Sequence, residues 1–166
     1  MKKLFLTALA AVCFTSTYYA NTSSVSSNTS VSYFKNPYFQ FISPSELPAE
    51  AQNVINQHFG GLSNVTKAKI DRYKYEVETR DGFEIEFNFD GSVKSIESDY
   101  KSIPFQILAS LPGEVNSYVN SKFAGWKLLE VEVKKSKIEI SLEKGRYEAE
   151  LKFNGSGKLL KVKYDD

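Results

Sequence analysis

The chain has 166 residues, with 21 Lys and Arg against 20 Asp and Glu, and one Cys, one His, one Met and one Trp beside 10 Tyr and 12 Phe. A net charge of +1 leaves no electrostatic footprint for nucleic acid or an acidic membrane surface. One Cys and one His exclude a Cys/His zinc site and a thiol redox pair, and with them much of catalytic chemistry.

Met1-Lys2-Lys3 starts the chain with positive charge, and the run from Leu4 to Phe14 is apolar. That run is shorter than the roughly 20 residues a membrane span needs. Residues 1–20 therefore read as a secretory signal peptide cut after Ala20, with cleavage after Thr17 as the competing site. Cys13 raises the question of an acylated membrane tether, although Val12 is larger than a lipoprotein signal favours before its Cys. Loss of Lys2, Lys3 and Cys13 leaves a mature chain of formal charge −1 with no Cys. It would be periplasmic or secreted, without a transmembrane segment, and held together by its core alone. Residues 21–35 are rich in Ser, Thr and Asn at their start and read as a flexible spacer.

The run Leu47-Pro48-Ala49-Glu50-Ala51 to Phe59-Gly60-Gly61 lines up, 64 residues on, with Leu111-Pro112-Gly113-Glu114-Val115 to Phe123-Ala124-Gly125. Leu47, Ala51, Val54/Ile55 and Phe59, like Leu111, Val115, Tyr118/Val119 and Phe123, form one stripe of an amphipathic helix. Pro48 and Pro112 fall where first-turn proline is tolerated, and Gly61 and Gly125 where helices stop.

After each helix the period changes to two. Tyr73, Tyr75 and Val77 alternate with charged residues, Asp81-Gly82 turns the chain, and Phe83, Ile85, Phe87 and Phe89 follow before Asp90-Gly91, Val93 and Ile96. In the second copy Leu129, Val131 and Val133 come first, then Ile138, Ile140 and Leu142. The Lys144-Gly145 turn leads to Tyr147, Ala149, Leu151 and Phe153, and Asn154-Gly155-Ser156-Gly157 precedes the last strand. The expected fold is α+β: two tandem repeats, residues 36–99 and 100–166, each a helix packed on a roughly four-stranded antiparallel sheet. One face of each sheet would be apolar, the other charged and wet.

This order of Leu-Pro, a helix ending in Phe-x-Gly, alternating strands and an aromatic strand ending in Asp/Asn-Gly resembles the PepSY-like family. That family is related in shape to beta-lactamase inhibitor proteins. The resemblance spans roughly residues 36–164 and implies an exported protein, mostly found in Bacteroidetes. It also implies recognition through an exposed sheet, since the inhibitors grip their enzyme with a concave one. Their disulfides have no counterpart here.

His58 lies in the last turn of the first helix, where a cation suits the helix dipole, and its counterpart is Lys122. Glu76, Glu78, Glu84 and Glu86 share one sheet face by their spacing. Carboxylates held about 5 to 9 Å apart in a cleft could hydrolyse glycosides, whereas Lys67, Lys69, Lys74 and Arg80 could instead neutralise them across strands. Asp90-Gly91-Ser92 supplies too few oxygen ligands for calcium. Tyr33, Phe34, Tyr38, Phe39 and Phe41 either cover the core or anchor a partner, and Trp126 carries the same two readings. The sequence thus predicts no catalytic, cofactor or metal site. It points to a non-catalytic binding or inhibitory module for an envelope protein or peptide, with Tyr38, Phe39, Trp126, Glu76, Glu84 and Glu86 as candidate contacts. The alternative is a structural protein of the envelope without a specific enzyme target.

Overall fold

The computed structural model describes residues 39–165. The expected signal peptide, the spacer and Tyr38 lie outside them. Pro48, at the N-cap, starts helix α1 (Ala49–His58), which buries Ala51 and Ile55 and hands on to buried Phe59. Helix α2 (Val115–Lys122) does the same with Val115, Val119 and Phe123. The stripe read from the sequence is the face that packs. Pro112, however, stands outside α2, because Gly113 beside it has φ 65, a conformation no α-helix contains.

The strands are β1 (Phe39–Phe41), β2 (Val65–Asp71), β3 (Lys74–Thr79), β4 (Phe83–Phe87), β5 (Val93–Ser98), β6 (Lys127–Lys134), β7 (Lys137–Lys144), β8 (Tyr147–Asn154) and β9 (Leu159–Asp165). They form one nine-stranded antiparallel sheet in chain order. This corrects the expectation of two tandem repeats, each a helix packed on a roughly four-stranded antiparallel sheet. The finding that overturns it is the pairing of β5 with β6 through Ser95↔Glu132, Ile96↔Val131 and Glu97↔Glu130. Two separate sheets would leave both strands as edges with unpaired backbone groups, and joining them satisfies those groups.

Register makes the joint continuous. Ala68, Val77, Ile85, Ile96, Val131, Ile140, Leu151 and Val162 are successive partners from β2 to β9. All but Val162 are buried, and they belong to one core with the apolar faces of both helices. Edge-to-face rings tie the helical segments to the sheet: Phe59 to Phe83 at 5.1 Å and Tyr118 to Phe153 at 6.0 Å.

Two other expectations change. A register shift between Leu128 and Glu130 buries Leu128 and Val131 rather than Leu129 and Val131, because the bulge resets the alternation. Tyr73 is not part of an alternating strand but sits in the β2–β3 turn, 81% exposed. The connection before α2 carries a 3-10 segment (Phe105–Ser110) that the periodicity gave no sign of. Its Ile107 and Leu108, with Ile103 ahead of it, are buried, and Ile103 N–H donates to the Leu128 carbonyl at 2.7 Å.

Candidate functional site: the charged outer face of the sheet

With Val77 and Ile85 facing the helices, period-two geometry turns Glu76, Glu78, Glu84 and Glu86 to the opposite, outer face. Register places Glu76 opposite Glu86 and Glu78 opposite Glu84. Like charges directly across a ladder repel, and lysines from neighbouring strands offset this. Lys74 bridges Glu76, at 2.8 Å, and Glu86. Lys69 also holds Glu76, Lys94 holds Glu86 at 2.9 Å, and Lys67 holds Glu78. Burial pushes the Glu76 and Glu86 carboxyls up, but the ammonium hydrogen bonds outweigh it and both end below the usual carboxylate range. A general acid for glycoside cleavage needs the opposite shift. These carboxylates are neutralised in place.

The second half has a matching hub. Glu139 accepts from Lys137 at 2.6 Å, Lys152 at 2.7 Å and Lys134 at 3.1 Å, which lowers its pKa to about 2.

Between these two neutralised regions lies a row of a different kind. Glu84 on β4, Glu97 on β5 and Glu130 on β6 are register partners in successive strands. No described cation pairs with any of them, and Glu130 accepts only the Ser141 hydroxyl, at 3.0 Å. Beside the row the face is dished: Glu130, Glu132, Glu139, Ser141, Glu150 and Lys152 line a hollow of about 190 Å³. The Glu97 carboxyl is pushed above its ordinary value, first by loss of water around it and then by the charges of Glu130, Glu84, Glu86 and Glu132.

A carboxyl whose pKa is higher folded than unfolded penalises the fold when ionised. The penalty is whole at neutral pH and is relieved as pH falls through the raised value toward about 4.3, the unfolded value. Glu97→Gln is therefore expected to stabilise the protein at pH 7, by roughly 0.5 kcal/mol for so exposed a like-charge contact. The gain should vanish by about pH 4. Thermal melts of both proteins across this range check it, and a gain that persists at pH 4 contradicts it.

The remaining candidates are not gathered at this row. Trp126 packs on the core on the helix side, edge-to-face with Phe123 at 5.3 Å and 6.4 Å from Tyr164. Phe39 contributes backbone to β1 opposite Asp71, and the neighbouring Phe41 is 61% exposed. His58 is half-buried in the last turn of α1, against the edge of Phe59 at 6.4 Å. Asp90 spends one carboxylate oxygen on the Ser92 N–H at 2.9 Å and the Ser92 hydroxyl at 2.6 Å, closing its turn. Among the described residues no group of three or more His, Cys, Asp or Glu is placed to hold a metal ion. No helix among them is long and apolar enough to cross a membrane. Sequence reasoning missed Glu97 and Glu130 as site residues. Their alternation with Ile96 and Val131 was the available signal, but only the β5–β6 register aligns them with Glu84.

Among the described residues, a single antiparallel sheet is covered by helices on one face and is charged and uncovered on the other, a scaffold architecture in which the uncovered face is the accessible one. Residues 34–94 and 73–161 both match the family described as "Putative beta-lactamase-inhibitor-like, PepSY-like". The chain belongs to this family. No curated protein matches it.

Among solved structures it is similar to one from Bacteroides thetaiotaomicron described as "a putative calcium-regulated periplasmic protein". The two share 28% identity over 75% of this chain and 96% of that one, with a TM-score of 0.61. Two Bacteroides vulgatus structures, each described as "a putative periplasmic protein", are similar at 27% identity and TM-score 0.61, covering 75% of this chain and 96% and 98% of theirs. In keeping with these relatives, the protein is periplasmic or secreted.

Proposed function

We propose that the protein is a non-catalytic binding module that takes a protein or peptide partner on its outer sheet face. The observation that carries this reading is the Glu84–Glu97–Glu130 row, three aligned carboxylates that form no ion pair among the described residues, on a face neutralised by lysines on either side. An ion-pair pattern that serves only solubility would interleave its cations throughout. A partner cation set among these groups would be steered by their combined field. Membership of a beta-lactamase-inhibitor-like family supports the same reading.

The test is cross-linked capture from envelope extract with the full chain, alongside Glu84→Gln/Glu97→Gln/Glu130→Gln. One stoichiometric partner is expected for the wild type, with capture reduced about tenfold in the triple variant. Several abundant envelope proteins, or none, would favour a structural role instead. Since one relative is described as calcium-regulated, capture is compared with calcium and with a chelator. Divalent ions that screen the row would weaken it.

A further inference from the structure

The two ends of the sheet are finished differently. Beyond β1, Ile42 donates its N–H to the Ala68 carbonyl at 3.0 Å and packs on the core, closing the apolar row at that end. At the other end the row stops at half-buried Val162 on β9, which among the described residues pairs with β8 alone. Among the described residues, the seven of β9 leave about 24 Å of backbone with one set of N–H and C=O groups unpaired.

On the helix side this edge has a preformed apolar shelf. Tyr164, 64% exposed, stacks on Phe123 at 6.3 Å and lies 6.4 Å from Trp126, and half-buried Leu159 packs on the core at the start of the strand. On the outer side it carries Lys161 and Lys163. Lys163 reaches Glu150 at 4.0 Å and Asp165, whereas Lys161 lies opposite Lys152, whose own charge is taken up by Glu139, and has no carboxylate among the described residues. An ammonium left opposite another ammonium favours an incoming carboxylate on its open side.

We infer that the β9 edge accepts an added strand from a protein partner with carboxylates placed beside Lys161 and Lys163 and aliphatic side chains between them, laid against Val162 and Tyr164. Backbone hydrogen bonds supply the attachment and the alternating side chains supply the selection. In the register centred on Val162, which faces the two apolar rows to each other, two antiparallel β9 strands would set Lys161 against Lys163 of the second copy, a repulsive pair. The edge is separate from the Glu84–Glu97–Glu130 row, so this inference stands or falls independently of the function proposed above.

The test uses the full chain and fluorescein-labelled peptides of alternating Glu and Val, with Lys and Val as the counterpart, followed by anisotropy. The Glu/Val peptide should bind about tenfold more tightly than the Lys/Val one, and Lys161→Glu/Lys163→Glu should reverse the order. Tyr164→Ala should weaken binding without changing that order. Of two Glu/Val peptides N-methylated at alternate residues, one should lose binding and the other keep it, since only one set of N–H groups faces β9. Failure of the Glu/Val peptide to bind, equal binding of both charge types, or retention by both methylated peptides overturns the inference. So does a dimer in sedimentation that the peptide dissociates, which would assign the edge to a second copy.

Discussion

Ile96→Ala is expected to destabilise the whole sheet by about 3 kcal/mol, the range for an aliphatic truncated in a core that cannot collapse around it. Ile96 is fully buried between Ile85 and Val131, at the joint where β5 meets β6 over three register pairs. If the halves form one cooperative unit, the damage spreads to both. Trp126, the single Trp, reports on the second half, and far-UV circular dichroism reports on all strands. In urea the two signals should give one shared midpoint, lowered together in the variant. Wild-type transitions that separate by probe would show the halves unfolding independently. Ser95→Ala, on the outer side of the same strand, should stay within about 0.5 kcal/mol of wild type.

That joint is also where sequence reasoning stops working. Period 3.6 in Ala51, Ile55 and Phe59 and period two in Ile138, Ile140 and Leu142 are local properties, and the structure buries those residues. Periodicity says which face a side chain takes but not which strand lies alongside. The order of β5 and β6 is settled by backbone groups that every residue carries alike. The bulge at Leu128–Glu130 is illegible for a related reason. One extra residue shifts the buried set from Leu129 to Leu128 without any change in composition. The buried 3-10 segment carrying Ile107 and Leu108 is too short for any period to show.

The same limit applies to the outer face. Glu76, Glu84 and Glu86 were found because they alternate with Val77 and Ile85 within adjacent strands, and the ammonium groups near them were in sight as Lys69 and Lys74. What distinguishes Glu84 from Glu86 is invisible along the chain. Glu86 has Lys74 and Lys94 within reach, whereas Glu84 faces Glu97, a residue that becomes its neighbour through the β4–β5 hairpin and then meets Glu130 across the joint. The single sheet therefore sets the charge pattern of the outer face as well as the topology. Separate sheets would divide the carboxylates, and one sheet sets them in a line. Trp126 shows the converse. Its position after a helix allows either a core or an anchor role, and Phe123 and Tyr164 place it on the helix side, beside the β9 edge rather than the acidic row.

Gly157→Ala is expected to be at least as damaging as the loss of Ile96, about 3 kcal/mol or more, for a backbone reason. Gly157 has φ 82, and a Cβ there would lie 2.6 Å from the Pro112 carbonyl carbon and 2.9 Å from Gly113 Cα. Neither can swing aside like a flexible side chain, so the β8–β9 turn and the segment leading into α2 would have to separate. The first half has the same contact in its own form: a Cβ on Gly91 would lie 2.9 Å from the Ala51 nitrogen in the first turn of α1. Gly145 supplies the control. It has φ 65 but nothing within 4 Å of a Cβ, so Gly145→Ala should show only the conformational cost, about 1 kcal/mol. The difference between the two variants isolates the close approach of turn and helix. Urea midpoints measure it, and amide exchange should quicken in α2 and β9 for Gly157→Ala alone. Equal losses in the two variants would mean that the turn does not hold α2 against the sheet.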